Sequence, residues 1–159
     1  MLADELVALA DEKGAAERKV QGLLTKGRIL APSGKAADAV RALASGLGAY
    51  QSMGATAGMP TIKSHLGRAY AELGQFDDAW HSIGEAMMAM ETSKETWFEA
   101  EVNRIAGKIA LLSPTPEAEK AEAYFKRALS VARQQQAKSW ELRAAMSMAR
   151  LWRDRCKRG

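Results

Sequence analysis

The stretch LGRAYAELGQFDDAWHSIGEA, residues 66–86, decides the fold. Gly74 suits the left-handed residue that closes a helix, and Gln75-Phe76-Asp77-Asp78-Ala79 opens a second one. Two antiparallel helices approach closely only where their side chains are small. Gly67 on the first helix therefore faces Ala79 on the second. Ile83, one turn after Ala79, fills the groove beside that contact.

The same pattern recurs on both sides of this stretch. Gly27, Gly67 and Gly107 are spaced by 40 and 40 residues. Ala39-Leu43-Gly46, Ala79-Ile83-Ala86 and Ala121-Phe125-Ala128 follow them with identical internal spacing, small-x3-large-x2-small. In the third unit the gap between the two signatures grows from twelve residues to fourteen, inside SPTPEAEK (113–120), where a repeat tolerates a longer turn. Gly34 repeats the cap of Gly74, and Ser113-Pro114-Thr115-Pro116 takes that role next, with proline in the first turn of the following helix. In a fourth unit Ala149 stands for the glycine, Trp152 for Tyr70 and Cys156 for the capping glycine. Ile29, Ala69 and Ile109 occupy core positions. A helix pair of this kind cannot bury its apolar face alone, so each pair stacks on the next.

Eight helices are predicted, over 2–13, 16–31, 35–52, 60–73, 76–91, 95–112, 117–135 and 138–155. The chain divides into a half-repeat helix (1–14), three repeats (15–54, 55–94 and 95–136) and an incomplete fourth repeat or capping helix (137–159). Only 4 of 159 residues are proline, while Ala, Leu, Met, Glu and Lys abound, which favours helix throughout. No alternating Val/Ile/Thr run argues for a strand. The expected fold is all-α, a right-handed superhelical stack of antiparallel helix pairs.

The motif Leu66-Gly67-x-x-Tyr70-x-x-x-Gly74-x-x-x-x-Ala79-x-x-x-Ile83-x-x-Ala86 resembles a tetratricopeptide (TPR) repeat at every position quoted. The period of about 40 residues exceeds the 34 of the standard repeat, which implies longer helices. The stretches GRAYAELGQFDDA, TWFEAEVNRIAGKIAL and AEAYFKRALSVARQQQAKSWELRAAMSMARLWRD are similar to the C-terminal TPR region of bacterial multidomain regulators of the nucleotidyl cyclase/ATPase type. The resemblance implies a cytoplasmic, non-enzymatic protein-interaction scaffold. On this reading the chain is a truncated array, and none of the cyclase or ATPase residues of those regulators is present.

Composition and motifs exclude several other classes. A formal charge of +4, from 23 Lys+Arg against 19 Asp+Glu, is too small for a dedicated nucleic-acid binder, and no aromatic interleaves the cations to stack bases. No apolar run approaches the ~18 residues of a membrane span. MLADELVALADEKG places acids where a signal peptide needs apolar residues. One cysteine and two histidines leave no metal centre. Ser33-Gly34-Lys35-Ala36 lacks the first glycine and the hydroxyl of a phosphate loop and reads as a turn. His65 and His81 are not at ligand spacing, and Glu99/Glu101 and Glu117/Glu119/Glu122 read as solvated faces. Met87, Met88 and Met90 supply two core fillers, and Trp80, Trp97, Trp140 and Trp152 pack between units. No catalytic residue, cofactor or metal is expected. Cys156, beside Arg153, Arg155, Lys157 and Arg158, reads as an exposed terminal thiol.

The candidate site is a ladder of cations. One residue after each small marker come Arg28, Arg68, Lys108 and Arg150, which share a helix face with Arg104 and Arg143. Glu101 and Glu72 balance it in part. Such a row, on the concave face of a stack, holds carboxylates or phosphates, which implies an acidic peptide or protein surface as partner. The alternative is homo-oligomerisation. The helix 138–155 lacks a following partner, and Met148, Leu151 and Trp152 would form an open apolar edge.

Overall fold

The computed structural model describes residues 2–13 and 15–158, and these are all-α. The eight helices are α1 (Leu2–Lys13), α2 (Ala16–Leu30), α3 (Ala36–Ser52), α4 (Met59–Glu72), α5 (Phe76–Ser93), α6 (Glu99–Leu112), α7 (Ala118–Gln134) and α8 (Lys138–Arg158). A single 3₁₀ turn, Ala31–Ser33, separates α2 from α3.

Three contacts set the pairing. A Cβ on Gly27 would stand 2.4 Å from Cγ of Leu43 and 3.1 Å from the carbonyl oxygen of Ala39. At Gly67 the same atom would meet the Ala79 oxygen at 2.9 Å and Ile83 Cγ1 at 3.3 Å. At Gly107 it would meet the Phe125 ring at 2.5 Å and the Ala121 oxygen at 3.1 Å. In each pair the small residue faces the alanine backbone and the large residue fills the space beside it, as the spacing predicts. Gly22 makes a fourth contact of this type, 2.7 Å from Val7 Cγ2 and 3.4 Å from the Ala3 oxygen of α1.

Helix ends follow the local punctuation. Gly34 and Gly74 turn the chain at φ +78° and +79°, where only glycine avoids a steric cost. None of α2 to α7 has a side-chain N-cap. Their stability therefore rests on packing more than on capping. Three boundaries differ from expectation. Thr96, Trp97 and Phe98 precede α6 instead of forming its first turn, because Trp97 and Phe98 stack edge-on at 5.3 Å and Phe98 packs on Trp140 of α8 at 5.3 Å. Pro114 and Pro116 lie before the N-cap Glu117, in the loop, and not inside α7. Cys156 occupies no turn, since α8 continues through it.

Sequence neighbours pack together, and so do alternate helices. α2 contacts α4, α4 contacts α6 and α6 contacts α8, while among the described residues the backbones of α3 and α5, and of α5 and α7, stay apart, and α5 meets α7 through side chains, Trp80 with Tyr124 and Lys120. The core follows this order. Leu24, Leu43, Ile62 and Leu66 form one cluster, Ile83, Ile105 and Ile109 the next, and Phe125, Met148 and Leu151 a third. Met87 and Met90 fill the interior and Met88 is exposed. Trp80 bridges the second and third clusters by stacking on Tyr124 at 5.9 Å. Trp97 and Trp152 are more than half exposed, contrary to their expected role between units. Ile29 is likewise 50% exposed and not a core residue.

Candidate functional site

The cations come from the alternate-helix layer, Arg28 from α2, Arg68 from α4, Arg104 and Lys108 from α6, and Arg143 and Arg150 from α8. Helical spacing puts the cations of each helix on one stripe, Arg104 four residues before Lys108 on α6 and Arg143 seven before Arg150 on α8, and α2, α4, α6 and α8 contact one another in sequence. The charges sense one another. Burial, then repulsion by Arg104, Arg68 and Arg150, moves Lys108 from its ordinary 10.5 to about 8, against the attraction of Glu101. Arg143 is pushed down by burial first and also feels Arg104 and Arg28, with Glu101 opposing.

The six cations are not equivalent. Glu101 is 1% exposed and is clasped by two of them. Nε of Arg104 donates to its Oε2 at 2.7 Å, a guanidinium NH2 of Arg104 donates to Oε1 at 2.5 Å, and Arg143 reaches Oε1 at 2.8 Å. This corrects the reading of Glu101 as part of a solvated face. A buried carboxylate needs such partners, because an unpaired charge there would cost several kcal/mol. Arg143 also lies over the Trp140 ring, 5.1 Å from its centroid. On α4, Nε and NH2 of Arg68 both donate to Oε1 of Glu72, at 2.9 and 2.7 Å. Arg28, Lys108 and Arg150 have no carboxylate partner among the described residues. Arg104 holds Glu101 within α6 and Arg143 ties α8 to it, and the three unpaired cations are those free to meet an anion.

His65, which is not at ligand spacing with His81, belongs to the site all the same. It occupies the stripe between Thr61 and Arg68, at i+4 and i−3, so helical spacing alone places it in the ladder. Burial first, then repulsion by Arg28, Arg143, Arg104 and Arg68, lowers its pKa from 6.5 to about 3. It is neutral at pH 7 and sits edge-on to Phe98 at 6.0 Å. His81 is exposed, 3.9 Å from Glu85. Among the described residues no cluster of His, Cys, Asp and Glu is fit for a metal ion.

The expected oligomer edge changes composition. Met148 and Leu151 are 4% and 5% exposed, turned against Phe125 and Ala121 of α7. Of the three named residues only Trp152 faces solvent. Leu142 and Met146 accompany it instead, so the exposed apolar stripe of α8 is Leu142, Met146 and Trp152. Cys156 is exposed, as expected. No helix among the described residues is long and apolar enough to cross a membrane.

Neither protein-family models nor curated proteins give a match to this chain.

Proposed function

We propose that the chain is a non-enzymatic TPR-like scaffold, a right-handed superhelical stack whose concave face binds an acidic peptide or protein surface. The contact order supports the superhelix. In such a stack the inner helices touch in sequence, as α2-α4-α6-α8 do, while the backbones of the outer helices α3, α5 and α7 stay apart. The observation that carries the partner chemistry is the excess of charge on the inner layer, where six cations from four helices meet two carboxylates, Glu101 and Glu72. Charge-assisted contacts to Arg28, Lys108 and Arg150 supply the binding. The resemblance of the last two-thirds of the sequence to bacterial cyclase/ATPase-type regulators supports reading the scaffold as part of a larger cytoplasmic protein of that kind, where it would bind a partner or another domain of its parent.

The test uses a labelled Glu-rich peptide and fluorescence anisotropy at two salt concentrations. The wild-type chain is expected to bind with an affinity that falls as salt rises. Arg28→Gln/Lys108→Gln/Arg150→Gln should weaken it at least tenfold. Equal affinity in the triple variant, or no salt dependence, overturns the reading.

A second reading has an observation of its own. Ala100, Gly107 and Ala110 of α6 are covered by α7. Their counterparts 42 residues on, Leu142, Ala149 and Trp152 of α8, are exposed. We infer from that face a homo-oligomerisation role, the occupant being α8 of a second copy.

A further inference from the structure

We propose that a pocket of about 170 Å³ at the α2 end of the groove is a binding site for a small amphipathic carboxylate, held by Arg28, Thr61 and His65 over an apolar floor of Leu24, Leu43 and Ile62. The inference goes beyond the acidic-partner reading and shares only Arg28 with it.

Two atoms in this pocket call for an occupant. Thr61 Oγ1 and His65 Nε2 are buried and have no hydrogen-bond partner in the protein. Such atoms carry a desolvation penalty that native structures seldom leave uncompensated. Both groups lie on α4 one turn apart and line the same pocket as Arg28 of α2. A hydroxyl donates a hydrogen bond, and a neutral imidazole with its proton on Nε2 donates another. With the guanidinium, that makes three donor groups and one full positive charge. A carboxylate has two oxygens with about four acceptor sites, so it satisfies all three groups and neutralises Arg28. A cation is excluded by Arg28, Arg68, Arg104 and Arg143, all of which His65 senses.

The rest of the pocket chooses the body of the ligand. The volume is on the order of ten times the ~10–15 Å³ that one water needs, room for a small organic acid. Leu24, Leu43 and Ile62 offer nothing polar, which disfavours inorganic phosphate and simple acetate. Tyr50 and Trp97 add aromatic wall, and Gln21 and Thr25 of α2 extend the polar side around Arg28. The Tyr50 hydroxyl donates to the Ala57 carbonyl, and the Gly58 N–H donates to Oε2 of Glu95 at 3.0 Å, so the connector between α3 and α4 is tied down on both sides of the pocket. A site of this kind binds with little rearrangement, which favours affinity.

The same chemistry is carried by a free acid and by a glutamate side chain of a bound peptide, and the experiment separates them. The probes are 3-phenylpropanoate, the uncharged 3-phenylpropanol, and acetate, titrated into the labelled full chain by NMR. Shifts of the Arg28, Gly58, Thr61 and His65 amides should saturate with 3-phenylpropanoate at a Kd at least tenfold below either control. Thr61→Val, an isosteric loss of the hydroxyl, and Arg28→Gln should each weaken that probe fivefold or more. Thr61→Val should leave the Glu-rich peptide unaffected, and Lys108→Gln/Arg150→Gln should leave 3-phenylpropanoate unaffected while weakening the peptide. Thr61→Val weakening the peptide in step with the small acid assigns the pocket to a peptide side chain and overturns the small-ligand site. Equal binding of the acid and the alcohol, or no saturation, overturns the carboxylate assignment, and both comparisons use the unaltered chain.

Discussion

Gly67 and Gly84 lie on neighbouring helices, and one added methyl group should move them in opposite directions. A Cβ at Gly67 would meet the Ala79 carbonyl oxygen at 2.9 Å, and backbone cannot step aside. Overpacking of this kind costs ~1–3 kcal/mol, which exceeds the ~0.5–1 kcal/mol that alanine gains over glycine inside a helix. Gly84 is exposed in α5 with nothing within 4 Å of that position, so only the gain remains. Urea unfolding should place Gly67→Ala below the wild type by about 1–2 kcal/mol and Gly84→Ala above it by up to ~1 kcal/mol. His65 carries a second prediction at this scale. The unfolded chain takes up a proton on His65 near 6.5, and the folded chain only near 3. Between those values the unfolded state binds more protons, so stability is complete above the window and is lost as pH falls through it. From pH 7.5 to 5.5 the wild type should lose about 1 kcal/mol more than His65→Gln. The lowered carboxylates Glu122 and Glu141 lose their contribution only below their ordinary 4.5, outside this interval. Equal losses in both chains would mean that His65 titrates freely.

At the scale of the element, what the sequence discloses is what is local. A left-handed glycine ends a helix wherever it stands, so Gly34 and Gly74 mark their turns without knowledge of the neighbours. The glycine-alanine-large triplet is a contact between consecutive helices, and its period reports the pairing before any coordinate does. The start of α6 is different. Thr96-Trp97-Phe98 has nothing in its own sequence to keep it out of a helix, and what does so is an aromatic cluster supplied by α4 and α8. Gln135, from beyond α7, also donates through Nε2 to the Thr96 carbonyl at 2.7 Å. The same division runs through the candidate site. The row of cations at one register is visible in the spacing of Arg28, Arg68, Lys108 and Arg150. The burial of Glu101 is not, because it depends on Arg143 arriving from another helix. Nor is the neutrality of His65, which follows first from its burial and then from four cations on four elements. A ladder of six thus separates into three cations spent on internal carboxylates and three left open, a distinction that only packing makes.

For the whole molecule the question is whether the exposed stripe of α8 closes the fold or joins two copies. Leu142, Met146 and Trp152 are 61%, 45% and 51% exposed. Burying side chains of this size is worth roughly 1.5–3 kcal/mol each, and a two-fold contact uses the stripe twice. Against this stands an association cost of about 4–15 kcal/mol, so the contact is weak to moderate and depends on concentration. Light scattering with reductant should give a mass that rises above 17.2 kDa with protein concentration. Because the stripe is apolar, added salt should not lower that mass, whereas the groove loses its peptide as salt rises. Trp152→Glu should return the chain to the monomer mass at every concentration, and Arg28→Gln/Lys108→Gln/Arg150→Gln should not. A monomer mass in the wild type up to about millimolar concentration, the weak end of what three such side chains support, would remove the self-association reading and leave the basic groove with its pocket as the binding surface.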